Sequence, residues 1–345
     1  MIEQAITALA DGCDLEEETA YGAMNRIMEG TATEAQIAAF LIGLRVKGET
    51  VAEMTGGARS LAEKAIRIRP RVPFTVDPVG TGGDRTGTFN ISSVAAIIAA
   101  AAGACVAKHG NRSVSSRSGS ADLFEALGIR IRIPPQAVES CIEETGFGFL
   151  FAPVFHPAMR FAAPVRRVLG VRTLFNLLGP VSNPAGAAGQ VLGVYDRKVM
   201  PFVAGTLVNM GVSRALIVHG TDGADEITTA GDTLVTEIRN GHVTEYVVSP
   251  EQFGLPRRSL ADIQGGGPAD NAEIARDILD GKPGAAREIA LLNAAATLYV
   301  GQAAGDIAEG LEKAACAIDS GSARAKLAEV VEYTRRASEE GGAAC

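Results

Sequence analysis

The spacing of apolar and polar positions changes character once along the chain, near residue 70. Up to about residue 68 the pattern is helical only. Ala38, Ala39, Leu41, Ile42 and Leu44 recur near the spacing of one helix face, and the stripe reads as packing within a helical unit. Asp14 followed by Glu17 resembles a capping box, and Thr33 and Thr50 offer further helix starts. Arg69-Pro70-Arg71 breaks the pattern. Short apolar runs then alternate with helical stretches. Val72 to Val76, Cys105 to Lys108, Gly148 to Phe151, Val191 to Tyr195 and Ala215 to Val218 read as buried strands, with helices near 93–103, 119–128, 135–146 and 198–211. This alternation predicts an α/β fold, its mainly parallel central sheet flanked by helices on both faces. Asn240-Gly241, between Leu234 to Ile238 and Val243 to Val248, predicts a tight hairpin added antiparallel to the sheet. After the loop Gly265-Gly266-Gly267-Pro268, helices dominate to about residue 338, and Ser338 to Cys345 reads as a frayed tail.

Composition narrows the function classes. With 47% hydrophobic and 21% charged residues among 345, a large core can be buried and disorder is not expected. A net charge of −8 argues against a general nucleic-acid or anionic-membrane surface. Cys13, Cys105, Cys141, Cys316 and Cys345 are scattered, with no C-x-x-C pair, so neither a zinc site nor a disulfide framework is suggested and a reducing cytoplasm fits. The start Met1-Ile-Glu-Gln lacks the basic and apolar regions of a signal peptide. The run Val94 to Ala104 is too short and too Ala-rich to span a bilayer.

Four clusters carry candidate chemistry. The first, Asp77 to Ser93, packs four glycines, two aspartates and several hydroxyls between a strand and a helix. Glycines allow close backbone approach and the helix start offers free N–H groups, so the natural occupant is an anion, most plausibly a phosphate. The segment matches neither common nucleotide motif, and taken alone a ligand-free strand-to-helix turn stays open. The second cluster, Ala107 to Asp122, supplies the charge of Lys108, the hydroxyls of Ser115, Ser116 and Ser120, and backbone access at Gly110 and Gly119. Two such loops after successive strands suggest a ligand with more than one phosphate. In the third, Asp222-Gly-Ala-Asp-Glu226, the oxygens of Asp225 and Glu226 suit a magnesium ion held with few protein carboxylates. The fourth runs from Phe155 to Arg167. Met159 and Arg166, seven apart, are expected on one helix face; Arg166 and Arg167 are both candidates to clamp a substrate carboxylate, and pairing of one or both with a structural carboxylate, the preferred reading for Arg167, stays open. His242 reads as a surface residue and His219 stays open.

The ordered set Gly80-Thr-Gly-Gly-Asp84, Asn90-Ile-Ser-Ser93, Lys108-His-Gly-Asn-Arg112, Ser118-Gly-Ser-Ala-Asp122, His156-Pro-Ala-Met159, Arg172-Thr-Leu-Phe-Asn-Leu-Leu-Gly-Pro180 and Asp225-Glu226 resembles the anthranilate phosphoribosyltransferases over nearly the whole chain. The first and third segments are shared more loosely with the pyrimidine nucleoside phosphorylases, the nearest alternative. A non-catalytic nucleotide or nucleic-acid binder on the same scaffold is the other. The resemblance implies a helical domain over 1–70, completed by a helical segment near 165–185, and an α/β domain over 71–345 that binds 5-phosphoribosyl 1-diphosphate. It implies transfer of the phosphoribosyl group to the amine of anthranilate, in tryptophan biosynthesis in the cytoplasm. It implies Mg2+, a homodimer through the helical domains and no nucleic-acid or membrane partner, and it names an anthranilate synthase amidotransferase subunit as a candidate partner. By position, Gly80, Gly83, Asp84, Thr88, Asn90, Ile91, Ser92 and Ser93 would hold the ribosyl donor. So would Lys108, His109, Gly110, Asn111, Arg112, Ser113, Val114, Ser115, Ser116 and Ser120. Ser92, Asp225 and Glu226 would ligate the metal. Gly80, Asn111 and Arg166, with His109 and His156 as further candidates, would contact anthranilate. Lys108, Arg166, Asp225 and Glu226 would carry catalysis. Arg85 departs from the small residue expected there, and Arg117 from a lysine.

Overall fold

In a computed structural model, residues 2–113 and 117–342 are described. The first four elements are helices: α1 (Ile2–Ala10), α2 (Glu17–Met28), α3 (Glu34–Lys47) and α4 (Val51–Glu63). Thr33 and Thr50 each cap a helix through a reciprocal box, with Gln36 and Glu53 as third residues. Asp14 does not. Glu16 takes the capping position of α2 without a side-chain bond, and Asp14 instead pairs with Lys47 at 2.6 Å. Lys47 also meets the buried Glu53, whose carboxylate accepts N–H bonds from Leu15 and Thr50 at 2.9 and 2.8 Å.

The chain then lays down β1 (Thr75–Gly80), α5 (Ile91–Ala101), β2 (Cys105–Gly110), α6 (Ser120–Ala126), α7 (Pro135–Thr145) and β3 (Phe147–Phe151). A broken helical stretch follows: α8 (Ala152–Phe155), a 3-10 turn (Pro157–Phe161), α9 (Ala163–Leu169) and α10 (Phe175–Leu178). After it come β4 (Gly189–Gly193), α11 (Met200–Asn209), β5 (Arg214–Gly220), β6 (Thr233–Arg239) and β7 (His242–Val248). Helices α12 (Pro268–Leu279), α13 (Ala285–Val300), α14 (Ile307–Asp319) and α15 (Ser322–Gly342) complete the chain.

The seven strands form one sheet in the order β3-β2-β1-β4-β5-β6-β7. The first five are parallel, and β6 and β7 are antiparallel. Asn240 and Gly241 both sit at positive φ, 51° and 79°, as a two-residue hairpin between right-twisted strands requires. One apolar core joins the sheet to α5, α12, α13 and α14. Helix α5 is buried along nearly its whole length, and its alanines let α13 approach closely. A second core joins α1 to α4 with Ala162, Val165, Leu174, Phe175 and Leu178, and with Val79, Leu192 and Val203 beside the sheet. The helical start therefore packs on the sheet with α9 and α10 between.

Three expectations shift. The first strand begins at Thr75 and runs through Asp77 and Pro78 to Gly80, rather than covering Val72 to Val76. The last helix continues to Gly342, past Ser338, helped by Arg335 pairs to Glu332 and Glu339. Met159 and Arg166 lie on separate elements, the 3-10 turn and α9, because the chain breaks at Ala162. Among the described residues no helix is long and apolar enough to cross a membrane.

Candidate functional site

β2 follows β1 on one side of the sheet, whereas β4 is added on its other side. Connections leaving the carboxyl ends of β1 and β4 thus diverge, and a crevice forms there. The loop after β1 is fastened across that crevice. Thr81 N–H donates to Gly193 O at 2.9 Å, Tyr195 N–H donates to Thr81 Oγ1 at 3.1 Å, and Gly82 N–H donates to Asp225 Oδ2 at 2.7 Å. Asp225 is pressed against two glycines. A β-carbon on Gly193 would lie 1.6 Å from the Asp225 carbonyl oxygen, and one on Gly80 would lie 2.6 Å from Asp225 Oδ2. Both positions demand glycine for close approach.

Charge is concentrated around Asp225. Glu226 Oε1 accepts the Ser92 N–H at 3.0 Å, at the start of α5. Lys108, 2% exposed, donates to the Pro78 carbonyl at 2.5 Å and reaches Ser92 Oγ at 3.4 Å. Burial lifts Asp225 well above the usual carboxylate range, with Asp84 and Glu226 adding repulsion. Burial likewise pushes Glu226 up to about 7, while Lys108 and the Ser92 N–H oppose the shift. Lys108 is lowered by the same desolvation and held up by Asp77, Glu226 and Asp225. Two raised acids with Asp84 beside them mark a place short of positive charge. Yet among the described residues no three acidic, His or Cys side chains converge as a self-sufficient metal cage. The donor set suits a hard divalent ion that takes one or two carboxylates and brings its other ligands with it.

The remaining expected residues surround this centre unevenly. Asp84 accepts from Thr86 Oγ1, and Thr88 forms a bridge to Gln264. Gly83 offers its carbonyl to Arg172 at 3.2 Å. The Asn90 side chain donates one N–H to Ser118 O and accepts from Ser118 Oγ and Asn271 Nδ2, clamping three segments and keeping one amide N–H besides its backbone for a ligand. Ile91 and Ser93 are 1% exposed and likewise offer backbone. Ser120 Oγ donates to Asn111 O at 3.3 Å, and a β-carbon on Gly110 would collide with that hydroxyl. Asn111 is exposed, its Oδ1 accepting the Arg112 N–H. Arg112 pairs with Asp122 and Glu125 at 2.7 and 2.6 Å. Ser113 N–H donates to Asp122. Val114, Ser115 and Ser116 lie outside the described residues. Arg85 is an exposed residue at φ 64°, a conformation that a glycine would hold without cost and a side chain holds at roughly 1 kcal/mol.

His109 and His156 meet with ring centroids 5.1 Å apart. His109 Nδ1 lies 3.1 Å from Gly179 O. A carbonyl only accepts, so Nδ1 carries the proton and Nε2 is a bare acceptor without a partner among the described residues. Burial drives both rings neutral, His109 down to about 3 and His156 to about 4. Each folded pKa is below the unfolded one, so stability is fully present above pH 6.5 and is lost as pH falls towards those values. His156→Gln should flatten part of that loss. Urea midpoints at neutral pH and about two units lower would check it, and an equal fall in variant and wild type would place the acid sensitivity elsewhere.

Arg166, on α9, is half-buried and lies over the Phe175 ring at 5.2 Å. Among the described residues no carboxylate pairs with it, and desolvation alone lowers its pKa. Arg167 is exposed and also lacks an ion-pair partner among them, contrary to the structural pairing expected. His219 Nδ1 contacts Val194 O at 2.8 Å and ties β5 to the end of β4. His242 is exposed as expected, and Asp222 braces its own turn through Ala224 N and Thr228 Oγ1. Sequence reasoning gave no role to Asp77, Asn183, Arg172 or Asn271. Only Asp77 carried a signal, an acid followed by proline inside an apolar strand.

Comparison with known proteins bears on this arrangement. Residues 3–65 match the helical bundle domain of a glycosyl transferase family, and residues 73–324 match its a/b domain. The chain is 50% identical to an anthranilate phosphoribosyltransferase of Acetivibrio thermocellus over 97% of both chains. It is 51% identical to that of Symbiobacterium thermophilum, covering 95% of this chain and 96% of the relative. The solved structure of the Thermus thermophilus enzyme superposes with a TM-score of 0.91 at 44% identity, over 96% of this chain and 99% of that one. The Saccharomyces cerevisiae enzyme in complex with PRPP and Mg superposes at 0.89 with 28% identity, over 97% and 98%. With both domains matched and nearly every residue spanned at such identity, the chain belongs to the anthranilate phosphoribosyltransferases, a branch of this glycosyl transferase family.

Proposed function

We propose that this chain transfers the phosphoribosyl group of 5-phosphoribosyl 1-diphosphate to the amine of anthranilate, giving N-(5-phosphoribosyl)anthranilate and diphosphate in tryptophan biosynthesis. The observation that carries the reading is the buried Lys108 facing Ser92 beside the Asp225–Glu226 pair, at the strand ends where β1 and β4 diverge. The loops after β1 and β2 hold the donor through Gly80 to Asp84, the start of α5 and Lys108. Ser92, Asp225 and Glu226 would hold Mg2+, an ion found with PRPP in the complex of the yeast enzyme. When bound, the ion supplies positive charge against the leaving oxygens.

In the reaction a bond forms between the amine nitrogen and C1 of the ribose. The bond from C1 to diphosphate oxygen breaks and its electron pair leaves with the diphosphate. The amine then gives up one proton. Charge at C1 rises as in glycoside cleavage. Lys108 and the N–H groups of the first loop stabilise the departing charge at fixed positions. An aromatic amine is neutral at pH 7, so no strong base is needed. That agrees with a site whose two histidines are driven neutral and whose main work is positioning. Arg166 orients the anthranilate carboxylate, with His109 and His156 beside it. The yeast complex with 4-fluoroanthranilate supports an acceptor site on this scaffold.

The working units are residues 1–70 with the helical segment near 165–185, and residues 71–345, hinged so that closure excludes water. The chain works in the cytoplasm as a homodimer through the helical unit, with an anthranilate synthase amidotransferase subunit as the partner to test. One assay decides the activity. Anthranilate fluorescence should fall when protein, donor and Mg2+ are combined, and not when any one is left out. Unchanged fluorescence, with free base released from thymidine or uridine and phosphate, would make the chain a nucleoside phosphorylase.

A further inference from the structure

The ladder between β1 and β2 stops short of the crevice. Its pairs are Thr75 with Cys105 and Val76 with Val106. On their other sides β1 stays in register with β4 to Gly80, and β2 with β3 to Gly110. Pro78 has no N–H to give and is foreign to a central strand. Where the ladder fails, two side chains replace it. Asp77 Oδ1 accepts the His109 N–H at 3.0 Å. Asp77 Oδ2 accepts from Asn183 Nδ2 at 2.7 Å, and that same amide donates to Ala107 O at 2.8 Å. Asn183 Oδ1 in turn accepts the Ala185 N–H at 2.8 Å. Asp77 is fully buried. Lys108 reaches the Pro78 carbonyl from the neighbouring strand, beyond the last ladder pair.

We propose that Asp77 and Asn183 form a spacer between the carboxyl ends of β1 and β2, a positioning pair that fixes how far apart the two donor-binding loops stand. The inference rests on the transferase reading above. Its chemistry is specific to a carboxylate. Two N–H donors converge on residue 77, and an amide offers one acceptor and would turn its own N–H2 towards the other donor. Asn183 is equally specific, because it must give two N–H bonds and accept one. The pair touches neither Arg166 nor the metal-holding carboxylates. Asp77 holds His109 only by its backbone N–H, while the ring is held by Gly179 O, so loss of the pair should be felt chiefly by the donor that both loops line.

Steady-state kinetics on Asp77→Asn, Asn183→Ala and the double variant test this. Thr145→Val serves as a control for lost stability, since Thr145 is buried at the opposite end of the sheet and, among the described residues, its hydroxyl bonds only to Cys141 and Phe147 nearby. Asp77→Asn should raise the donor KM about tenfold or more and move the anthranilate KM less than about threefold. The double variant should cost about as much as the worse single one, as members of one unit do. Wild-type constants in Asp77→Asn, full additivity, or the same KM change in Thr145→Val would overturn the spacer. If Asp77→Asn does not fold, Asn183→Ala decides by the same readout. A wild type without turnover counts against the transferase reading, whereas normal wild-type turnover with unchanged variants counts against the spacer alone.

Discussion

Converting Asp225 and Glu226 together to Asn and Gln should lower kcat/KM for the donor about a thousandfold, roughly 4 kcal/mol, without destabilising the free protein. The two halves of that expectation have one cause. Both carboxylates lie half-buried beside Asp84, and desolvation together with repulsion from Asp84 raises both. The folded chain thus keeps protons that the unfolded chain has released, so ionising these acids costs stability as pH rises above the ordinary carboxylate range towards about 7. The amides remove that cost. Their oxygens can still accept the Gly82 and Ser92 N–H bonds that the carboxylates accept now. What they cannot do is bind a hard cation with full negative charge. Thermal melts without ligands, together with turnover titrated against Mg2+, check the pair of claims. A large fall in Tm with magnesium dependence intact would make the acids structural.

The parts of the site legible in the sequence are those that residue types and near neighbours announce. Asp225 and Glu226 are adjacent hard oxygen donors after a strand, and the two anion loops give them a purpose. Lys108 is legible by its company, a charge beside the glycines and serines of the second loop. Local backbone rules also read well. Thr33 and Thr50 cap their helices, and Asn240-Gly241 turns at positive φ, because those signals depend on neighbours in sequence.

Signals that depend on distant partners read poorly. Asp14 looks like a cap and is instead captured by Lys47, 33 residues away. Asp77 and Pro78 look hostile to a central strand, so the sequence pattern ends the first strand at Val76, whereas it runs from Thr75 to Gly80. They are accommodated there only because Asn183, 106 residues on, replaces a missing ladder bond. Asn90 fits a ligand motif, and its side chain also ties the segment to Ser118 and Asn271, a role its neighbours in sequence do not announce. Sequence spacing likewise suggested one helix face for Met159 and Arg166, but the break at Ala162 lies between them. Residue types announced the chemistry, and tertiary hydrogen bonds decided which of those residues are free to perform it.

Arg166→Ala should raise the KM for anthranilate about tenfold to a hundredfold and leave the donor KM within about threefold, the cost of losing charge-assisted bonds worth roughly 1.5–3 kcal/mol. The guanidinium is half-buried against Phe175, and among the described residues no carboxylate answers it. A partly desolvated cation without a partner is costly for the fold alone. It becomes favourable once a ligand carboxylate supplies the missing charge. Arg166→Lys should fall between wild type and alanine, because an ammonium keeps the charge but not the planar two-point fork. Esterified or decarboxylated anthranilate gives the complementary test. Such analogues should bind Arg166→Ala about as well as they bind the wild type, since neither presents the clamp with its anion. Equal rises in both KM values for Arg166→Ala, or an analogue that still discriminates between the two proteins, would show that Arg166 supports the packing of α9 rather than the acceptor.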